Sequence, residues 1–236
     1  MAGQDTAAED HAAQLAGGLS PLTPAERTDA VRLLLWRHGQ TDWNVERRFQ
    51  GQLDVPLNAI GREQAATAAR YLAAMRPTAI YSSDLSRASA TADALARLTG
   101  LQVQLDKDLR ERHGGSWEGL SDTEIAERYP VEQVTWSPPD GESVEAVTDR
   151  ASAALMRIAD GADPGALVVV VAHGACLSLA LSRILDLPHE RRILGPFGNC
   201  HWSELLRDGG RWRLLEHNGG VLPEPVPEGL AGIEES

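Results

Sequence analysis

Val31-Arg32-Leu33-Leu34-Leu35-Trp36-Arg37-His38-Gly39 is an apolar run of strand length that ends on an arginine, a histidine and a glycine. A second run, Ala166-Leu167-Val168-Val169-Val170-Val171-Ala172-His173-Gly174, also closes on His-Gly. Its apolar residues do not alternate with polar ones, the pattern of a strand at the centre of a sheet covered on both faces. In an open α/β sheet, residues leaving the carboxyl ends of central strands gather in one crevice. Paired strands lie about 4.8 Å apart, so neighbouring strands would bring the two imidazoles together. Each following glycine lets backbone approach a ligand or take a dihedral that other residues resist. One His-Gly alone reads as a turn; two, each closing a buried strand, point to a site.

The remaining chain alternates strands with helices. Ala79–Tyr81 reads as a short strand before the turn-like Ser82-Ser83-Asp84, and Val103–Leu105 as another. Helix formers dominate Arg62–Met75, after Gly61, and Ser86–Leu98, which Gly100 should stop. A helix over Ser143–Ala159 puts Val144, Val147, Ala151, Leu155 and Ile158 on one face. A further helix is expected at Ala175–Leu185. His201–Leu206 and Arg211–Glu216, separated by Asp208-Gly209-Gly210, read as a hairpin. The expected fold is α/β, a three-layer α/β/α sandwich with a mostly parallel central sheet. It occupies residues 31–220, with an Ala/Gly-rich extension at 1–30 and a Pro/Glu-rich tail at 221–236, both expected to be disordered.

Composition narrows the function. At 236 residues, the chain is long enough for one large α/β domain and short for two. No apolar run approaches the roughly 18 residues of a membrane-spanning helix. The acidic N-terminus lacks the basic and apolar regions of a signal peptide. Cys176 and Cys200 stand far apart and outside any C-x-x-C spacing, so a reduced, cytoplasmic setting is expected. A formal charge of −12 opposes nucleic acid as a partner. No membrane partner is expected, and the protein association considered is a homodimer.

Two histidines could also ligate a metal, but such sites want three or four ligands with carboxylate or thiolate help. Arg37 beside His38 carries a fixed positive charge that opposes a cation and favours an anion. Arg87 can bring a second guanidinium from the start of the helix after Ala79–Tyr81, where the helix terminus adds partial positive charge. A surface arginine is the commoner reading of Arg87 taken alone. Together, two arginines and two histidines at strand ends describe a phosphate pocket better than a metal site.

The segment Leu35-Trp36-Arg37-His38-Gly39-Gln40-Thr41-Asp42-Trp43-Asn44 resembles the signature of the histidine phosphatase superfamily, the phosphoglycerate mutase-like enzymes. The resemblance continues in order through Gln50-Gly51-Gln52-Leu53-Asp54, Gly61-Arg62-Glu63-Gln64-Ala65, Tyr81–Ala88, Leu109-Arg110-Glu111, Gly115-Ser116-Trp117-Glu118-Gly119 and Ala172-His173-Gly174. It implies a phosphoglycerate mutase-like fold and a metal-independent phosphomonoesterase that needs no cofactor, takes a small phosphorylated metabolite as its partner and works through a phosphohistidine intermediate. His38 would be the nucleophile, Glu111 the proton donor, and Arg37, Arg87 and His173 the groups that hold the phosphoryl oxygens, with Asn44 nearby. Thr41, Gln50 and Gly51 fall where family members contact substrate. His113, His189, His201 and His217 read as surface or packing residues. Trp43 and Trp117 are placed to line the mouth of the site, although packing is the default for both and for Trp36.

Mutases of this family carry a Glu-Arg-His-Tyr-Gly run and a long insert before the second histidine. Here Glu111-Arg112-His113-Gly114-Gly115 lacks the tyrosine, and 61 residues separate Glu111 from His173. Phosphatase is therefore favoured over bisphosphoglycerate-dependent mutase. A non-catalytic binding module would usually have lost the nucleophile or an arginine, and here all are present. Among phosphatases, His38–Asn44, Gln50–Asp54, Gly198-Asn199 and Arg211-Trp212-Arg213-Leu214 are similar to those acting on glucosyl-3-phosphoglycerate.

Overall fold

The computed structural model describes residues 30–188 and 193–221. The expectations for the two terminal segments, and for His189, lie outside the described residues save at Ala30 and Val221. The elements in chain order are β1 (Val31–Arg37), α1 (Asp42–Val45), α2 (Ala59–Ala74), β2 (Ala79–Ser82), α3 (Ser86–Thr99) and β3 (Val103–Leu105). They continue with α4 (Asp122–Arg128), α5 (Pro130–Thr135), α6 (Val144–Asp160), β4 (Leu167–Ala172), α7 (Gly174–Ile184), β5 (Trp202–Asp208) and β6 (Arg211–Gly219).

The six strands form one sheet in the order β3-β2-β4-β1-β5-β6. The first four strands in sequence pair parallel, while β5 pairs antiparallel with β1, and β6 antiparallel with β5. Every residue of β4 is buried, as its unalternated sequence requires. Alternate side chains of β1 and β4 enter two separate cores. Leu33, Leu35, Val168 and Val170 pack with Ala151, Leu155 and Leu177 of α6 and α7. Leu34, Trp36, Val169 and Val171 pack with Ala65, Leu72, Ala88 and Leu95 of α2 and α3. The result is the three-layer sandwich. Each fully buried aliphatic side chain contributes about 1.5–3 kcal/mol, so these two cores hold the strand ends in fixed register.

Two boundaries differ instructively from the sequence reading. Helix α2 begins at Ala59 because Asn58 caps it, its Oδ1 accepting from Gly61 N at 2.8 Å. Gly61 therefore lies inside the first turn, and its role is close approach: a Cβ there would stand 2.0 Å from Gln40 O. Helix α3 runs one residue beyond Leu98 and ends on Gly100, which takes the left-handed conformation at φ 73°. The hairpin turn is made by Gly209 and Gly210, both at positive φ. Helices α1, α4 and α5 have four to seven residues and were not anticipated, being too short to show a period. Among the described residues, no helix is long and apolar enough to cross a membrane.

Candidate active site

β1 and β4 are adjacent, with Arg37 opposite Ala172, so the chain leaves both strands at the same level of the sheet. His38 N continues the ladder by donating to Ala172 O at 3.0 Å. The rings of His38 and His173 then lie 5.1 Å apart, centre to centre. A cavity of about 940 Å³ opens over this end of the sheet. Arg37, His38, Asn44, Gln50, Gly51, Arg87 and Glu111 all line it, drawn from five different segments of the chain.

His38 Nδ1 lies 2.7 Å from Gly39 O. A carbonyl can only accept, so Nδ1 carries the proton and the lone pair sits on Nε2. Burial, with Arg87 and Arg37 nearby, holds this imidazole well below the ordinary histidine range, so it stays neutral. His173, fully buried, is pushed down for the same reasons, and its Nε2 lies 2.9 Å from Ser83 Oγ.

Arg87 is wholly buried at the start of α3. Its Nη1 donates to Leu53 O at 2.8 Å and its Nη2 to Gly51 O at 2.7 Å. Desolvation lowers its pKa to about 10, which leaves it charged at neutral pH. Gly51 can offer that carbonyl only as glycine: its φ is +53°, and a Cβ would stand 2.0 Å from Glu118 Oε1. Arg37 Nη1 donates to Phe197 O at 2.6 Å. Three buried polar atoms around the site have no hydrogen-bond partner among the described residues: Arg87 Nε, His173 Nδ1 and Gln50 Oε1. Buried polar atoms are normally satisfied within the protein, and these three stand out as the ones near the site that are not. Among the described residues, no group of three or more His, Cys, Asp and Glu side chains could hold a metal ion.

Glu111 lies after a 3-10 turn (Lys107–Leu109), and its carboxylate meets the N-terminus of α7. Oε2 accepts from Ala175 N at 3.0 Å, and Oε1 accepts from Cys176 N and Arg112 N, each at 2.9 Å. It thereby reaches the cavity next to the chain that leaves β4.

Not every sequence-derived assignment reaches the cavity wall. Thr41 is buried as the cap of α1, its hydroxyl accepting from Asn44 N at 3.2 Å, and it orients Asn44 without lining the cavity itself. His173 is fully buried, its ring centre 5.1 Å from that of His38. Trp117 is buried edge-on against Phe49, and neither it nor Trp43 lines the cavity; Trp136 is the tryptophan that does. His217 packs against Phe197 and also lines the cavity. Asn199, within the Gly198-Asn199 pair, donates from Nδ2 to His38 O at 3.1 Å and to Asn44 Oδ1 at 3.2 Å. An Asn two residues after Phe197 carries no period or charge pattern that would single it out.

Residues 33–219 match the family model described as histidine phosphatase superfamily (branch 1). The glucosyl-3-phosphoglycerate phosphatase of Mycobacterium tuberculosis is 41% identical over 197 residues, covering 78% of this chain and 87% of that protein. Phosphoglycerate mutase-like protein 4 of Arabidopsis thaliana is 36% identical over 200 residues, covering 80% and 86%. A solved structure of mycobacterial glucosyl-3-phosphoglycerate phosphatase, complexed with VO3, superposes with a TM-score of 0.74 at 38% identity, covering 80% of this chain and 99% of that one.

Proposed function

The chain belongs to the histidine phosphatase superfamily, branch 1, and is a phosphoric monoester hydrolase acting on a phosphorylated metabolite; from that premise we propose that His38 is its nucleophile and that glucosyl-3-phosphoglycerate is its substrate. The observation that carries the nucleophile is the bond from His38 Nδ1 to Gly39 O, which leaves Nε2 with its lone pair beside Arg87 and Arg37. In the first step, Nε2 attacks phosphorus and the ester P–O bond breaks. Covalent capture splits one hard hydrolysis into two easier displacements. Arg37 and Arg87 stabilise the charge on the equatorial oxygens. If Ser83 Oγ donates to His173 Nε2, the unpartnered Nδ1 becomes a third donor beside His38. Glu111, as the acid, gives its proton to the departing alkoxide. In the second step Glu111 takes a proton from water as that water attacks the phosphohistidine, and inorganic phosphate leaves with His38 neutral again. Asn44, Gln50 and Gly51 border the transferred group, and Thr41 acts through Asn44.

The substrate assignment rests on what the mycobacterial relative is named for, and on space. A cavity of about 940 Å³ falls in the range that encloses drug-sized ligands, so a sugar-bearing leaving group has room. The reading includes a cofactor-free enzyme in a reduced cytoplasm. Burial pushes the thiols of Cys176 and Cys200 up to about 12, which keeps both inert there. It also includes a homodimer, which light scattering measures directly. The test is a panel of phosphorylated metabolites assayed with EDTA present and with vanadate as inhibitor. Turnover should survive the chelator, stop with vanadate, be fastest on glucosyl-3-phosphoglycerate and leave acid-labile phosphate on His38 under rapid quench. Loss of turnover on chelation, restored by a divalent ion, would overturn the mechanism.

A further inference from the structure

Glu111 and Trp136 both face the cavity, yet no strand or long helix holds either of them. Trp136 follows α5 with φ 50° and ψ 45°, a left-handed conformation that is uncommon for a bulky residue and persists only where the surroundings enforce it. Arg112, next to Glu111, is 1% exposed. Its Nη1 donates to Trp136 O at 2.8 Å, and its Nε donates to Glu142 O at 2.7 Å. Its guanidinium lies over the Trp136 ring, 4.3 Å from the ring centre. At its other end, its backbone N–H donates to Glu111 Oε1. One buried residue thus touches both the acid and the aromatic wall.

An apolar side chain would fill the same space with less desolvation cost. It could not join two carbonyls and a ring face, and neither could lysine, which lacks the planar fork. Arg150 braces the same loop from α6. Its Nη1 donates to Asp108 O and Arg110 O, its Nη2 to Glu111 O, and its Nε and Nη2 to the Glu142 carboxylate. We propose that Arg112 is a positioning residue whose anchored side chain and backbone N–H set Trp136 and Glu111 relative to one another, so that seating of the leaving group against Trp136 and its protonation by Glu111 depend on how that one residue is held. The proposal rests on Glu111 being the acid.

A double-mutant cycle on an alkyl phosphate, read as single-turnover phosphorylation at saturating substrate, separates the two claims. Glu111→Gln alone tests the acid. If it reacts at the wild-type rate, the acid assignment falls and the coupling falls with it. Given a slow Glu111→Gln enzyme, Arg112→Lys in the wild-type background should slow the step about tenfold or more, because small misplacements of reacting groups are costly. In the Glu111→Gln background the same substitution should cost less than about twofold. Trp136→Ala enters from the cavity side and should behave likewise, with a smaller loss of about threefold in the wild-type background that disappears in Glu111→Gln. It also carries the test if Arg112→Lys does not fold. Losses that multiply in both backgrounds would make Arg112 a structural residue only, and a wild-type rate in Arg112→Lys and Trp136→Ala would overturn the coupling outright.

Discussion

Arg37, His38 and His173 leave the ends of two hydrogen-bonded strands, whereas Glu111 and Trp136 stand in the stretch from 106 to 142. That stretch offers two 3-10 turns and two helices of six or seven residues. At the phosphate end, position follows from sheet register and two apolar cores. At the leaving-group end it follows from arginines gripping carbonyls, the half-buried Arg150 on Asp108 and Arg110, and the buried Arg112 on Trp136 and Glu142. The contrast matches the chemistry. A phosphoryl group has the same shape in every substrate and suits a rigid cradle. Leaving groups vary, and the loops that meet them can change without disturbing the sheet.

Substitutions at the two ends should therefore have different signatures. His38→Ala removes the proposed attacking atom and should cost at least about 10⁴-fold in kcat on every phosphomonoester, whatever its leaving group. Near-normal turnover in that variant would misplace the nucleophile. Glu111→Gln should cost about 10²–10⁴-fold on alkyl phosphates, whose alkoxide needs a proton. On p-nitrophenyl phosphate, whose leaving group departs as a stable anion, the phosphorylation step should lose far less. Equal losses on both substrates in single-turnover phosphorylation would erase the division between the two ends.

A smaller effect separates them by pH. His38 and His173 are held below the ordinary histidine value of about 6.5. As pH falls through about 6.5, the unfolded chain binds protons at these positions that the folded chain refuses. This favours unfolding until the folded-state values are reached. Urea denaturation at pH 7 and pH 5 should show that loss. It should be reduced in a His38→Gln, His173→Gln double variant, and an unchanged pH slope would mean that the imidazoles are not held neutral by the fold.

The same division explains what could be read from the sequence. His38 and His173 are legible because an apolar run of strand length announces where the chain leaves the sheet, and a sheet brings such ends together. Arg87 is legible as the first turn of a helix after a strand. Glu111 has no such signal, since Arg110-Glu111-Arg112 reads as alternating surface charge, and only the family resemblance singles it out. Trp136 carries no signal at all, while Trp43 and Trp117, which sit in motif segments and have packing as their default reading, do not line the cavity. A left-handed turn at the end of a six-residue helix leaves no periodicity, and the partners that enforce it, Arg112 and Glu142, are defined only by tertiary contact. Thr41 illustrates a subtler gap: motif resemblance identified the right turn of chain, but only the capping geometry shows that its hydroxyl faces Asn44 rather than the cavity.

The bond between His38 Nδ1 and Gly39 O also decides which chemical isomer the modified enzyme contains. One ring nitrogen is committed to the chain's own backbone, so phosphorylation of the proposed nucleophile should yield the tele isomer and none of the pros form. Isomer-selective antibodies or phosphorus NMR of the trapped enzyme would read this as one regioisomer, fixed by a main-chain carbonyl before any substrate arrives.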